Sequence, residues 1–229
     1  MKYCIVNGDD FGASHGIVRG ILEAHECGIL TSASLMVDMP ASESAAAFAR
    51  GRHRLGVGLH FDFGSSRRED AGRADLCLVR SELRRQIERF LRLMDALPTH
   101  LDAHHNVHRS PELLPCFREV AARYGLPLRE HCAVRYFSSF YGRWNGESHL
   151  EQISVQRLLV MLEHEVEDGI TELACHPGYP EAGFRSDYGV EREAELRTLC
   201  DPALHAGIVR LGIRLIDHRD VPGITRAAS

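Results

Sequence analysis

Short apolar runs alternate with longer segments of helical period along all 229 residues. That rhythm specifies a parallel sheet covered by helices, because its strands are too apolar for a sheet with one wet face. The strand candidates are 2–6, 31–37, 56–61, 100–103, 126–130, 171–175 and 213–216. Helical patterns fill 15–26, 41–50, 81–94, 112–124, 153–168 and 190–199, and Leu83, Ile87, Phe90, Leu91 and Met94 make one apolar stripe. Ser14 is placed to cap the first helix and Gly28 to end it, while Ser110-Pro111 opens the fourth. Residues 62–75 form a polar stretch that reads as a loop, and 135–147 is rich in aromatic residues. No linker or compositional break divides the chain, so residues 1–229 are expected to form a single α/β domain.

The polar clusters stand where strands end. Asn7-Gly8-Asp9-Asp10-Phe11-Gly12 follows the first strand, and His60 ends the third. Thr99-His100-Leu101-Asp102-Ala103-His104-His105-Asn106-Val107-His108 surrounds the fourth, and His176-Pro177-Gly178 follows the sixth. These ends converge at one mouth if the sheet closes, which favours a (β/α) barrel of about seven parallel strands over an open doubly wound sheet. Carboxylates and imidazoles gathered there suggest a metal-dependent hydrolase. Neighbouring residues of an extended chain point oppositely, so Asp9 and Asp10 are expected to serve different partners, and helix capping is an equal reading of the pair. His104 and His108 are four apart, so one turn of helix or a compact loop would place both imidazoles together, with His105 as a further candidate ligand. His176, held by a Pro-Gly turn, is placed to donate a proton to a leaving amine opposite a carboxylate base.

The formal charge of -5 and the absence of a basic stripe exclude a nucleic-acid partner. No apolar run approaches the roughly 18 residues of a membrane span. Seven scattered cysteines without a CxxC read as free thiols, and Met1-Lys2 leads directly into a strand, so a cytoplasmic location is expected. Fourteen histidines are many. Of these His25, His53, His149, His164, His205 and His218 lack ligand spacing and read as structural or exposed.

The order and spacing of these motifs resemble the YdjC/ChbG-like carbohydrate deacetylase family. The resemblance rests on Asn7–Gly12, Gly20–His25, Leu30–Val37, Gly56–His60, Pro98–His108 and Cys175–Tyr179. It implies a polysaccharide-deacetylase (NodB)-like barrel that removes acetyl groups from N-acetylated sugars with a divalent metal. It also assigns Asp10, His60 and His104 to the metal, Asp9 to the base and His176 to the acid. His108, Arg129 and Tyr179 are candidates for holding a small acetylated carbohydrate, although Arg129 and Arg192 serve equally as partners of nearby acids. The mixed oxygen and nitrogen set suits zinc, manganese, cobalt or nickel, and magnesium less naturally. Two departures stand out: Gly8 replaces the usual alanine before the acidic pair, and Asn106 interrupts a run of three histidines. The aromatic stretch around Trp144 has three readings: stacking on a sugar, packing on a helix, or meeting a second subunit in a homodimer. A metal-dependent amidohydrolase or phosphoesterase on a related barrel, or a non-catalytic metal- or sugar-binding relative, is the alternative to a deacetylase.

Overall fold

A computed structural model describes residues 1–63, 76–184 and 186–227. Most of the loop expected at 62–75 lies outside the described residues. The strands are β1 (Lys2–Phe11), β2 (Ser32–Leu35), β3 (Gly56–Phe61), β4 (Leu101–Ala103), β5 (Val134–Phe137), the short β6 (Arg143–Trp144) and β7 (Glu147–Ser148), β8 (Gly169–Cys175) and β9 (Ile213–Leu215). The helices are α1 (His15–Cys27), α2 (Ser42–Arg50), α3 (Leu76–Met94), α4 (Leu114–Tyr124), α5 (Val155–Glu165), α6 (Val190–Leu199), α7 (Pro202–Arg210) and α8 (Val221–Ala227).

Seven strands form one parallel sheet in the order β4-β3-β2-β1-β8-β5, with β9 also paired to β1, while β6 and β7 make a separate hairpin. β1 is the spine. It pairs with β8 from Lys2 to Gly8, with β9 over Lys2–Cys4, and with β2 from Asn7 onward. The sheet curls strongly, because the Arg129 guanidinium meets Asp102 of β4 at one edge, Asp9 of β1 in the middle and the Tyr136 ring of β5 at the other edge. Ile17, Ile21, Leu35, Leu59, Phe90 and Phe117, all buried, fill the space between helices and sheet.

Two local details differ from expectation. Pro127 has no amide hydrogen to give a ladder, so 126–130 does not form a strand. Its neighbours make only a bridge to β4, with Leu101 donating to Pro127 O at 2.8 Å and Arg129 donating to Leu101 O at 3.0 Å. The fifth sheet strand is instead Val134–Phe137, the start of the aromatic stretch. Ser14 caps α1 as expected, accepting from the Ile17 amide at 3.2 Å. Gly28 has an extended φ of -126° and is needed for a different reason: a Cβ there would stand 2.4 Å from Leu199 O.

Candidate active site

β1 carries both carboxylates past the apolar core to the mouth. Asp10 has a left-handed φ of 66°, and the register with β2 shifts between Gly8 and Phe11. Aspartate tolerates this conformation better than most residues. The turn breaks the alternation of an extended chain, so Asp9 and Asp10 both come within ligand-forming distance of His60. Asp10 Oδ1 lies 3.4 Å from His60 Nε2 and 3.0 Å from His104 Nδ1. Its other oxygen accepts from Arg192 Nη2 at 2.5 Å. Burial opposes the charge on Asp10, but Arg192, His104 and His60 hold it well below the usual carboxylate range.

His60 is oriented from behind. Its Nδ1 sits 2.7 Å from Asp102 Oδ1, and Asp102 Oδ2 in turn accepts from Ser34 Oγ at 2.6 Å and pairs with Arg129 at 2.7 Å. A carboxylate on one ring nitrogen leaves the other to face a metal. Burial works against charge on His60, yet Asp102 and Asp9 outweigh it and carry the imidazole up to about 10. His104 directly follows β4, and the chain then reverses through left-handed His105 (φ 54°) and Asn106 (φ 51°).

The donor atoms of Asp10, His60 and His104 all lie within 4.8 Å of one another. Asp10 Oδ1, buried, has no hydrogen-bond partner among the described residues. A lone carboxylate oxygen facing two imidazole nitrogens fits a divalent ion of the zinc, manganese, cobalt or nickel type. A second group, Asp9, His60 and Asp102, is equally close, but Arg129 already lies between its two carboxylates.

Asp9 faces the interior. Arg129 grips both of its oxygens, at 2.9 and 2.8 Å, and Asn7 Nδ2 donates at 2.8 Å. Burial would raise the Asp9 carboxyl, but Arg129 and His60 drive it far below the usual range. Arg129 also donates to Glu172 at 2.9 Å.

His176 lies across the mouth, after β8. Its turn packs directly on α1, where a Cβ on Gly20 would come within 2.5 Å of Gly178 Cα. The His176 amide donates to Glu195 Oε2, and Tyr188 Oη donates to Glu195 Oε1. His176 Nδ1 stands 4.0 Å from that carboxylate and has no hydrogen-bond partner among the described residues. Burial holds the imidazole down to about 4 against the pull of Asp10 and Asp9, and burial pushes Glu195 up to about 8. On the opposite flank a cavity of about 180 Å³ adjoins His60, lined by Met36, Val37, Met39 and Phe63 together with Asp38, Asp62, Glu82 and Gln86.

Asp9, Asp10, His60, His104 and His176 thus gather at one mouth, while the three residues expected to hold substrate do not join them as a surface. His108 is fully buried, 6.0 Å from the Phe117 ring and 3.5 Å from Glu130. The left-handed kink at His105 and Asn106 separates it from His104, contrary to the one-turn pairing. Arg129 is buried, with its nitrogens taken by Asp9, Asp102 and Glu172, so it has none to offer a sugar. Tyr179 donates to Glu23 at 2.7 Å, and its ring lies 3.8 Å beneath the Arg19 guanidinium. The sequence reading missed Glu195 and Tyr188 and left Arg192 undecided. Arg192, Glu195 and Leu199 share a helical face at spacings of three and four, a signal hidden by the charged composition of α6.

The profile of the YdjC-like protein family matches residues 3–209. The carbohydrate deacetylase of Geobacillus stearothermophilus is 35% identical, over 96% of this chain and 98% of that protein. The chitooligosaccharide deacetylase of Serratia marcescens is 33% identical, over 96% and 99%. A crystal structure from Enterococcus faecalis V583, of a protein provisionally called a cellobiose-phosphate cleavage protein, superposes with a TM-score of 0.79 at 26% identity, covering 96% of this chain and 98% of that one. The family 4 carbohydrate esterase of Streptomyces lividans, solved with acetate, shares the fold with a TM-score of 0.62 at 15% identity, covering 93% and 91%. With a profile that spans nearly the whole sequence and relatives this similar from end to end, the chain belongs to the YdjC-like family.

Proposed function

We propose that this chain is a divalent-metal-dependent deacetylase that hydrolyses the acetamide of an N-acetylated sugar or oligosaccharide, yielding acetate and an amino sugar. The observation that carries the reading is Asp10 Oδ1, buried and, among the described residues, without a hydrogen bond, between His60 Nε2 and His104 Nδ1. The names of the Geobacillus and Serratia relatives support the same chemistry.

Asp10, His60 and His104 would hold the metal. When bound, a divalent ion there supplies Lewis acidity, polarising the acetyl carbonyl and acidifying water. Asp9 is ionised throughout the working range and is the base; held this low, it keeps a proton only briefly. The grip of Arg129 and Asn7 fixes its oxygens in place. His176 is neutral at rest, and gains its proton as negative charge develops beside it. It then gives that proton to the departing nitrogen. The proton that His176 gains is the one Asp9 takes from the attacking water, so a single proton travels from water to nitrogen and both residues end as they began. Because the protonated nitrogen carries the sugar, the ring lies towards His176 and the acetyl group towards Asp10, His60 and His104.

The test is acetate release from N-acetylglucosamine and chitooligosaccharides, with and without chelator. Asp9→Asn should lower turnover by about 10²-fold or more while leaving metal bound. His104→Ala should lose the metal. Full activity in the Asp9→Asn protein would refute the assigned base, and chelator-resistant activity would refute metal dependence.

A further inference from the structure

We propose that Tyr141 is the stacking platform for the pyranose ring of the substrate, an inference that rests on the deacetylase reading. Tyr141 follows β5 and stands beside His176, with ring centroids 5.9 Å apart and planes at 74°. Tyr188 stacks against one of its faces at 4.6 Å and 11°. Tyr188 covers one face and His176 stands beside the stack, 5.9 Å from Tyr141 and 5.6 Å from Tyr188, and Tyr141 is still 40% exposed, which leaves its opposite face as the one to offer. An exposed, flat, apolar face with a polar tip suits the C–H face of a sugar.

The platform is rigidly tied to the proton donor. Tyr188 is buried, accepts from the Gly142 amide at 2.8 Å and donates to Glu195 Oε1. The other oxygen of Glu195 holds the His176 backbone amide. One buried carboxylate therefore sets the spacing between the ring that Tyr141 offers and the imidazole that serves the leaving nitrogen. That nitrogen is bonded to the sugar, so a platform on the His176 side meets the sugar and not the acetyl group. Trp144, the other exposed aromatic of this region, is stacked on His149 at 3.6 Å and lacks any such tie to His176.

A stacking contact made equally in ground state and transition state raises KM when removed and leaves kcat unchanged. Steady-state kinetics on N,N′-diacetylchitobiose with the metal-loaded enzyme should show KM about five- to ten-fold higher for Tyr141→Ala and Tyr141→Leu, with kcat nearly constant. Tyr141→Phe, which keeps the face and loses the hydroxyl, and Trp144→Ala should both retain the wild-type KM. Unchanged KM in the Ala and Leu proteins, or a rise produced by Trp144→Ala instead, would overturn the platform. Tyr141→Leu preserves bulk, so it guards against collapse of the Ala variant. If the wild type releases acetate from no sugar, the deacetylase reading itself falls. Calorimetric titration with chitobiose then decides the platform: binding that Tyr141→Leu weakens upholds it, and no binding by the wild type ends it.

Discussion

His60 uses its two nitrogens for different purposes, and its proton is the clearest handle on the metal. Asp102 and Asp9 keep the imidazole charged up to about 10 in the metal-free protein. The stability gained from that proton is complete below the unfolded value of about 6.5 and disappears as pH rises through the folded one. A metal must displace the proton from Nε2, since only neutral imidazole ligates. Titration calorimetry of metal binding at pH 7 to 8, in buffers of different ionisation enthalpy, should therefore detect about one proton released per ion. Apparent affinity should climb with pH towards about 10, and pH-independent binding without proton release would show that His60 does not ligate. The sequence displayed His60 as a strand-end histidine. Its pairing with Asp102 across the β3–β4 ladder was not legible there, because Asp102 reads just as well as the partner of its own neighbour, His104.

The turn after β4 shows how an element rather than a residue sets the site. His104–His108 has the spacing of a helical turn, yet the backbone passes through two consecutive left-handed residues. Asn106, which looks in the sequence like a gap in a histidine run, is the residue type best able to occupy the left-handed region after glycine. A β-branched residue is strained there. Asn106→Val should destabilise the fold by about 1–2 kcal/mol and weaken metal binding through His104, whereas Asn106→Gly should be nearly neutral in both urea denaturation and metal titration. Most elements were legible where periodicity and caps agree, as in α1 and β3. α7 was missed although Asp201-Pro202 announces it, with the Asp201 side chain accepting from the Ala203 amide at 2.8 Å. α6 was found, but its inward-facing charges were not, because buried Arg192 and Glu195 look like ordinary surface residues until the mouth they face is known.

Across the whole molecule Arg129 does what no single strand does. Its guanidinium joins β4, β1 and β8 through Asp102, Asp9 and Glu172, and it lies 4.7 Å over the Tyr136 ring of β5. Arg129→Met would leave three buried carboxylates without this counter-charge. The expected loss is about 3–5 kcal/mol in urea unfolding, seen equally by far-UV and near-UV probes. A loss confined to activity would mean the curl holds without it. The alternation of elements made the curled parallel sheet legible from sequence. The bond that draws its edges together was not, since 126–130 reads as one more strand until the missing Pro127 amide hydrogen is counted.

The same arrangement fixes what kind of ion suits the mouth. Asp9, Asp10, Asp102 and Glu172 bring four carboxylates into one buried region, and Arg129 and Arg192 answer with two guanidiniums. Two negative charges are left over when the imidazoles are neutral. The proton on His60 offsets one of them in the metal-free protein. A dication would offset both, balancing these four carboxylates against the two guanidiniums, which neither a sodium ion nor a trivalent ion would achieve.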